Sequence, residues 1–245
     1  PVLKDNNMFI AIFNDFYHNL CTKRRCYRFE FTNEIPLSRG LGSSSAVIVS
    51  AIASAYAIEG IELSKEKLLN LALAYESHPD NITPAVMGGF NVSAVESNEV
   101  KYINKSIPKE LSAVVVIPNR SISTQLSRKT LPYKYSKEDA IFNISHSSLL
   151  TAAFMSENWE MLRVASLDKF HQKYRMRQMP ELFEVQKIAL ANGALMSTLS
   201  GSGSTMFNIA YSHEAKKLES ALRKEFPHFR VFTSGFDNHG VKVEI

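Results

Sequence analysis

Hydrophobic positions near the start of the chain recur at helical spacing. Phe9, Ile12, Phe13, Phe16, Tyr17 and Leu20 share one face and predict an amphipathic helix. Tyr27, Phe29 and Phe31 then alternate with Arg28 and Glu30, which is the period of a strand. Residues 46–57 are small and apolar all round, predicting a helix buried on most sides. Ser64 is the candidate N-cap of a further helix whose inner face carries Leu68, Leu71, Ala72 and Tyr75. His78-Pro79-Asp80-Asn81 breaks that helix, because the residue before a proline is pushed away from helical geometry. Gly88-Gly89 leads into an alternating strand over 90–95, with two more strands over 101–103 and 111–117. Helices dominate 123–192, with Pro132 and Pro180 as breaks. A strand, a second Gly/Ser turn over 200–204, another strand and a helix over 212–226 follow. The final segment, 230–245, predicts a hairpin turning at Asp237-Asn238-His239-Gly240. Strands and helices mix without a regular βαβ rhythm, so the expected class is α+β and not a doubly wound sheet. A boundary near Pro108, ahead of the apolar run Ala113-Val114-Val115-Val116-Ile117, divides the chain into residues 1–108 and 109–245.

Composition narrows the function classes. With 245 residues, 45% of them hydrophobic and 21% charged, the chain can bury a full core of one large or two smaller domains. The net charge of +4 is spread along the chain, and Lys23-Arg24-Arg25 is its one tight basic run. That pattern suits an enzyme of anionic substrates better than a nucleic-acid binder, which would need a basic aromatic stripe. Cys21 and Cys26 have neither CxxC spacing nor nearby ligand partners, so reduced thiols are expected. No stretch has the length and apolarity of a membrane span, and no signal-peptide layout opens the chain, which reads as cytoplasmic.

The candidate chemistry lies in Pro36-Leu37-Ser38-Arg39-Gly40-Leu41-Gly42-Ser43-Ser44-Ser45-Ala46. Binding a phosphate chain takes several backbone N–H groups turned into one concavity, and glycine permits the necessary angles. A helix starting directly after the loop adds unsatisfied N–H groups and its positive dipole end. No Lys-Ser/Thr pair closes a Walker pattern here, and GxGxxG is absent. Composition alone therefore leaves two readings open, a phosphate loop or an ordinary Gly/Ser turn with a serine cap.

The wider pattern resembles the GHMP kinases. Pro-x-x-x-Gly-Leu-Gly-Ser-Ser-x-Ala is similar to their phosphate loop. Glu76-Ser77-His78-Pro79-Asp80-Asn81-Ile82-Thr83-Pro84-Ala85 with Gly88-Gly89, Ser123-Thr124 with Arg128 and Leu131-Pro132, and Tyr174-Arg175 with Pro180 resemble segments of the homoserine kinase branch. Ser200-Gly201-Ser202-Gly203-Ser204-Thr205 looks like the family's third motif. The resemblance implies a two-domain α+β fold with a ribosomal-protein-like N-terminal domain, containing a left-handed crossover, and a ferredoxin-like C-terminal domain. It implies transfer of the γ-phosphoryl group of ATP to L-homoserine, with Mg²⁺, on the way to threonine. A mevalonate or sugar kinase, or a non-catalytic ligand sensor on the same fold, are the alternatives.

By the same resemblance, the nucleotide is held by residues 36–46 with Gly201 and Gly203, and Mg²⁺ by Glu76 and Ser43. Arg128 and Arg175 face the substrate carboxylate, Thr124, His78 and Asp80 line its pocket, and Asn81 sits at the acceptor hydroxyl. No catalytic base is assigned, and an N-cap at Asn81 is the plainer alternative for that residue. His18, His146, His171, His213, His228 and His239 match no site pattern, and Trp159 reads as a helix-packing aromatic. Ser204 stands where proline is usual in the third motif. The family's first motif, near its N-terminus, has no counterpart in these residues, and a chain truly lacking it is expected to bind homoserine poorly. A homodimer is usual among relatives.

Overall fold

The computed structural model describes residues 7–21, 23, 25–122, 127 and 129–244. By packing, the chain forms two compact units. One comprises Pro1–Ile35, Gly42–Ser106 and Asp237–Ile245, and the other Pro36–Leu41 and Ile107–Phe236.

In the first unit, α1 (Met8–Leu20) is capped by Asn7, whose side chain accepts from the Phe9 and Ile10 amides. Phe9, Phe13 and Tyr17, spaced four apart, form one aromatic row on it. Tyr27, Phe29 and Phe31 lie against that row, with ring centroids 4.8–6.2 Å apart in edge-on pairs. The alternation in 27–31 is therefore real, but among the described residues its partner is a helix and no strand is assigned. Helix α2 (Ser43–Ile58) buries Ile48, Val49, Ala51, Ile52, Ala53, Ala55 and Tyr56, so it is covered on most sides as its composition predicts. Helix α3 (Lys65–Ala72) is capped by Ser64, which accepts from the Lys67 amide. The helix stops at Ala72, which leaves Tyr75 beyond its end and 37% exposed rather than on its inner face. Helix α4 (Pro79–Met87) begins on proline, whose missing N–H would be an orphan there in any case.

A hairpin of β1 (Phe90–Glu96) and β2 (Glu99–Lys105) follows, with Val92 opposite Ile103. The turn at Asp237 is present, with its carboxylate accepting from the His239 and Gly240 amides. It does not close a hairpin. It packs on the end of α4 and the start of β1, through Gly89 N to Asp237 O (2.8 Å) and Val241 N to Val86 O (3.2 Å). Lys65 Nζ also donates to the His239 carbonyl. The approach is so close that a Cβ on Gly88 would stand 2.5 Å from His239 N and 2.6 Å from Asn238 C. Gly88 also has φ +73. Overlap and backbone strain together make Gly88→Ala cost about 3 kcal/mol or more. Differential scanning calorimetry is expected to show a melting point lower by roughly 6–12 °C.

The second unit is built on a four-stranded antiparallel sheet in the order β4 (Met196–Leu199), β5 (Met206–Tyr211), β3 (Leu111–Ile117), β6 (Arg230–Ser234). Its connections run strand, helices, strand, strand, helix, strand, which is the ferredoxin-like arrangement. Strand β6 pairs with β3, so the ladder partner sought within 230–245 lies over a hundred positions earlier. Apart from Ser112, strand β3 is apolar, because both its faces are covered. Val114 and Val116 meet Leu182 and Val185 of α8 (Glu181–Ala191), with Leu218 and Leu222 of α9 (Ser212–Glu225). Ala113, Val115 and Ile117 meet Leu41, Phe207, Phe232 and Phe236. The long α5 (Lys137–Ser156) and the short α6 (Leu162–Ala165) and α7 (Gln172–Met176) precede α8. Trp159 is buried, packs edge-on against Phe154 and donates its indole N–H to Glu110.

Candidate functional site

The glycine/serine loop is divided between the units, and each part has its own surroundings. In the second unit Leu41 anchors one end of the arm Pro36–Leu41 in the apolar face of the sheet, while Leu37 and Ser38 stay exposed. Gly40, at φ +76, lies flat on the turn of residues 200–205, where a Cβ would overlap the Ser200 carbonyl oxygen. Ser200 Oγ donates to Gly40 O (2.6 Å), and the Thr205 amide donates to Arg39 O (3.2 Å). Arg39 itself donates to Asn119 O (3.0 Å) and Ser204 Oγ (3.4 Å). The two Gly/Ser segments, some 160 positions apart in sequence, are thus one structural piece. Ser204 is fully buried, and its hydroxyl donates to Arg120 O (2.7 Å). A serine here closes a bond that proline could not make. Gly201 and Gly203 have φ +53 and +87, angles that disfavour other residues.

In the first unit, Gly42 (φ +70) is the N-cap of α2 and offers no side chain to the first turn. The leading amide groups of α2, at Ser43, Ser44 and Ser45, are thus left without a side-chain cap, and a helix start in that condition favours an anion. Ala46 closes this turn, its amide donating to Gly42 O (3.1 Å). A Cβ on Gly42 would stand 3.7 Å from Asn81 Oδ1, so the Asn81 amide lies beside this helix start. Asn81 is the third residue of α4, not its N-cap. His78 holds that position, since Pro79 already supplies the first helical turn. Glu76 is half-buried and accepts from the His78 amide (3.4 Å), while His78 and Asp80 are exposed. Mg²⁺ takes few protein oxygens when phosphate oxygens and water complete its shell, so one glutamate and one serine hydroxyl would be enough to hold it.

Arg175 sits on α7 with Nη1 on Gly201 O (2.8 Å) and 3.4 Å from His171 Nδ1. It therefore touches the same turn that supports Gly40. Thr124 and Arg128, the other residues expected at the substrate, lie outside the described residues. Ser127 is fully buried, and its hydroxyl donates to Ser202 O (2.9 Å) in that turn.

Sequence reading passed over Asp168 and left His171 among the histidines that match no site pattern. Asp168 accepts from the His171 and Gln172 amides (2.7 Å each) and from Asn143 Nδ2 (2.9 Å). It thereby caps the start of the helix carrying Arg175. Burial raises its pKa, but these hydrogen bonds and His171 outweigh it and hold the carboxyl below its ordinary value. Burial depresses the pKa of His171, as does Arg175, with Asp168 opposing them. A neutral ring with its proton on Nε2 fits both neighbours: Nε2 faces Asp168 Oδ1 at 3.8 Å and Nδ1 accepts from Arg175. The available sequence signal is an aspartate a few residues ahead of a short helical run, the composition of a helix start.

Because the Asp168 pKa is depressed on folding, its contribution is fully present above the unfolded value of about 3.9. It is lost as pH falls through the lower folded value. Asp168→Asn is expected to remove it at every pH, flattening the acid limb of a urea-midpoint profile below about pH 4. An unchanged acid limb would show that the cap contributes nothing.

The sequence matches the GHMP kinases N terminal domain over residues 7–89 and the GHMP kinases C terminal domain over 145–228. It is 78% identical over 245 residues to a homoserine kinase of Aliarcobacter butzleri, covering all of this chain and 84% of that one. A homoserine kinase of Nitratiruptor sp. is 63% identical over 242 residues, covering 99% and 83%. Among solved structures, a homoserine kinase from Cytophaga hutchinsonii superposes with a TM-score of 0.78 at 26% identity, covering 85% of this chain and 69% of that one.

Proposed function

The chain belongs to the GHMP kinase family, and we infer from this that the protein acts as an ATP-dependent homoserine kinase. It transfers the γ-phosphoryl group of ATP to the side-chain hydroxyl of L-homoserine, giving O-phospho-L-homoserine and ADP. High identity to homoserine kinases along the whole chain carries this reading. No helix among the described residues is long and apolar enough to cross a membrane, and the reaction's small polar substrates suit the cytoplasm.

The roles of individual residues are our proposal. Backbone N–H groups of residues 38–45 receive the phosphate chain of ATP, and the open start of α2 faces its negative charge. Docking of Gly40 on Ser200 keeps the arm in one shape, so little ordering entropy is lost on binding. Glu76 and Ser43 would hold Mg²⁺, which when bound neutralises charge on the phosphate oxygens. Arg175 and Arg128 take the homoserine carboxylate, with Thr124, His78 and Asp80 around the rest of the amino acid. Asn81, beside the helix start, orients the acceptor hydroxyl. The hydroxyl oxygen forms a bond to the γ-phosphorus as the bond from phosphorus to the bridging oxygen of ADP breaks. The hydroxyl proton is released to solvent water, and no side chain is assigned as its base. A loose phosphoryl-transfer transition state asks chiefly for positioning and charge stabilisation, and these residues supply both.

A coupled ADP-release assay with homoserine, mevalonate and galactose as acceptors tests the assignment. Turnover is expected with homoserine. Turnover confined to the other two would refute it.

A further inference from the structure

Within the second unit lies a cavity of about 260 Å³ that the phosphoryl-transfer chemistry does not use. It is lined by Arg163, Ser166, Leu167 and Asp168, by Gln172, Lys173 and Met176 of α7, and by Phe183, Gln186 and Leu190 of α8. Ser197 of β4 lines it as well. Ser197 is only 4% exposed, and its Oγ has no hydrogen-bond partner among the described residues. A buried hydroxyl without a partner is costly, so this one calls for a group that enters the cavity. The volume far exceeds the ~30 Å³ of one water molecule.

The other polar groups around the cavity are mostly committed. Gln186 donates to the Ser197 carbonyl (2.8 Å), Gln172 accepts from the Leu199 amide (3.0 Å), and Arg163 holds the Leu190 and Ala194 carbonyls. Both Asp168 oxygens are occupied, Oδ2 by the His171 and Gln172 amides at the start of α7 and Oδ1 by Asn143 Nδ2. Lys173 differs. It is exposed and makes no ion pair among the described residues, which leaves an available cation at the cavity edge. The rest of the lining includes the apolar side chains of Leu167, Met176, Phe183 and Leu190.

We propose that this cavity is a second small-molecule site, taking a short aliphatic carboxylate that bears a hydroxyl. Its carboxylate meets Lys173, its chain lies on the apolar walls, and its hydroxyl pairs with Ser197 Oγ. The site adjoins α7 on the side of Gln172, Lys173 and Met176, whereas His171 and Arg175 of the same segment engage each other and Gly201.

The test uses methyl-labelled methionine in the full protein, saturated with homoserine and a non-hydrolysable ATP analogue so that the phosphoryl-transfer site is filled. The Met176 methyl resonance reports on the cavity and that of Met8, in the other unit, serves as control. Titration with 3-hydroxybutanoate is expected to shift Met176 saturably at millimolar concentration and to leave Met8 unmoved. Neutral 1,3-butanediol should bind at least fivefold more weakly. Lys173→Met, at an exposed position that leaves folding intact, should weaken 3-hydroxybutanoate about fivefold, the scale of an exposed charge pair. Ser197→Ala should weaken it about tenfold while leaving butanoate unchanged. The proposal fails if Met176 shows no saturable shift up to tens of millimolar, or if neither substitution changes the affinity.

Discussion

Gly40→Ala is expected to leave the protein folded and to lower kcat/KM for ATP by about a hundredfold or more. Two costs combine. An L-residue at φ +76 is strained by roughly 1–2 kcal/mol, and the new methyl would overlap the Ser200 carbonyl. The arm relieves both by lifting off the turn of residues 200–205, breaking the bonds from Ser200 Oγ to Gly40 O and from Thr205 N to Arg39 O. The amide groups proposed to receive the triphosphate then point elsewhere, and a displaced phosphate cradle typically costs a few kcal/mol of transition-state binding. Gly40 belongs to none of the hydrophobic clusters, so the cores survive, and the strain with the two lost hydrogen bonds should lower the thermal midpoint by roughly 4–8 °C. Activity within threefold of the parent protein would show that loop docking is irrelevant to catalysis.

The second large effect is expected at Arg175. Arg175→Ala should raise KM for homoserine about a hundredfold, the scale of losing a charge-assisted pair with a carboxylate, with a smaller change in KM for ATP. Arg175→Lys should not restore it, because a single ammonium cannot reproduce the planar fork. The bond from Arg175 to Gly201 O makes the comparison decisive. Were the arginine only a prop for the turn of residues 200–205, KM for ATP would rise instead and KM for homoserine would hold. Steady-state kinetics with each substrate varied in turn separates these outcomes.

Local elements were legible wherever their cause was local. The apolar spacing in 9–20, the Ser64 cap and the small-residue run of α2 are properties of neighbouring residues, and each produced the element it predicts. Partners were less legible. The alternation of Tyr27, Phe29 and Phe31 promised a strand, yet its aromatic face is satisfied by α1. The segment after Arg230 promised a hairpin, yet its first half pairs with β3 while its turn settles on Gly88 and Gly89. Periodicity says which side of a segment is apolar. It is silent on what covers that side.

The candidate site divides the same way. Motif order along the chain identified the family, the loop and the residues to watch through resemblance to the GHMP kinases, whereas the glycines and serines by themselves left an ordinary turn open. Three-dimensional packing alone decided that Gly40 rests on Ser200, that Arg175 grips the same turn, and that Asp168 and His171 hold the helix from which it projects. Those contacts join residues up to 160 positions apart. They depend on bond geometry measured in tenths of an ångström, a quantity fixed by the folded chain and by no pattern of residue types.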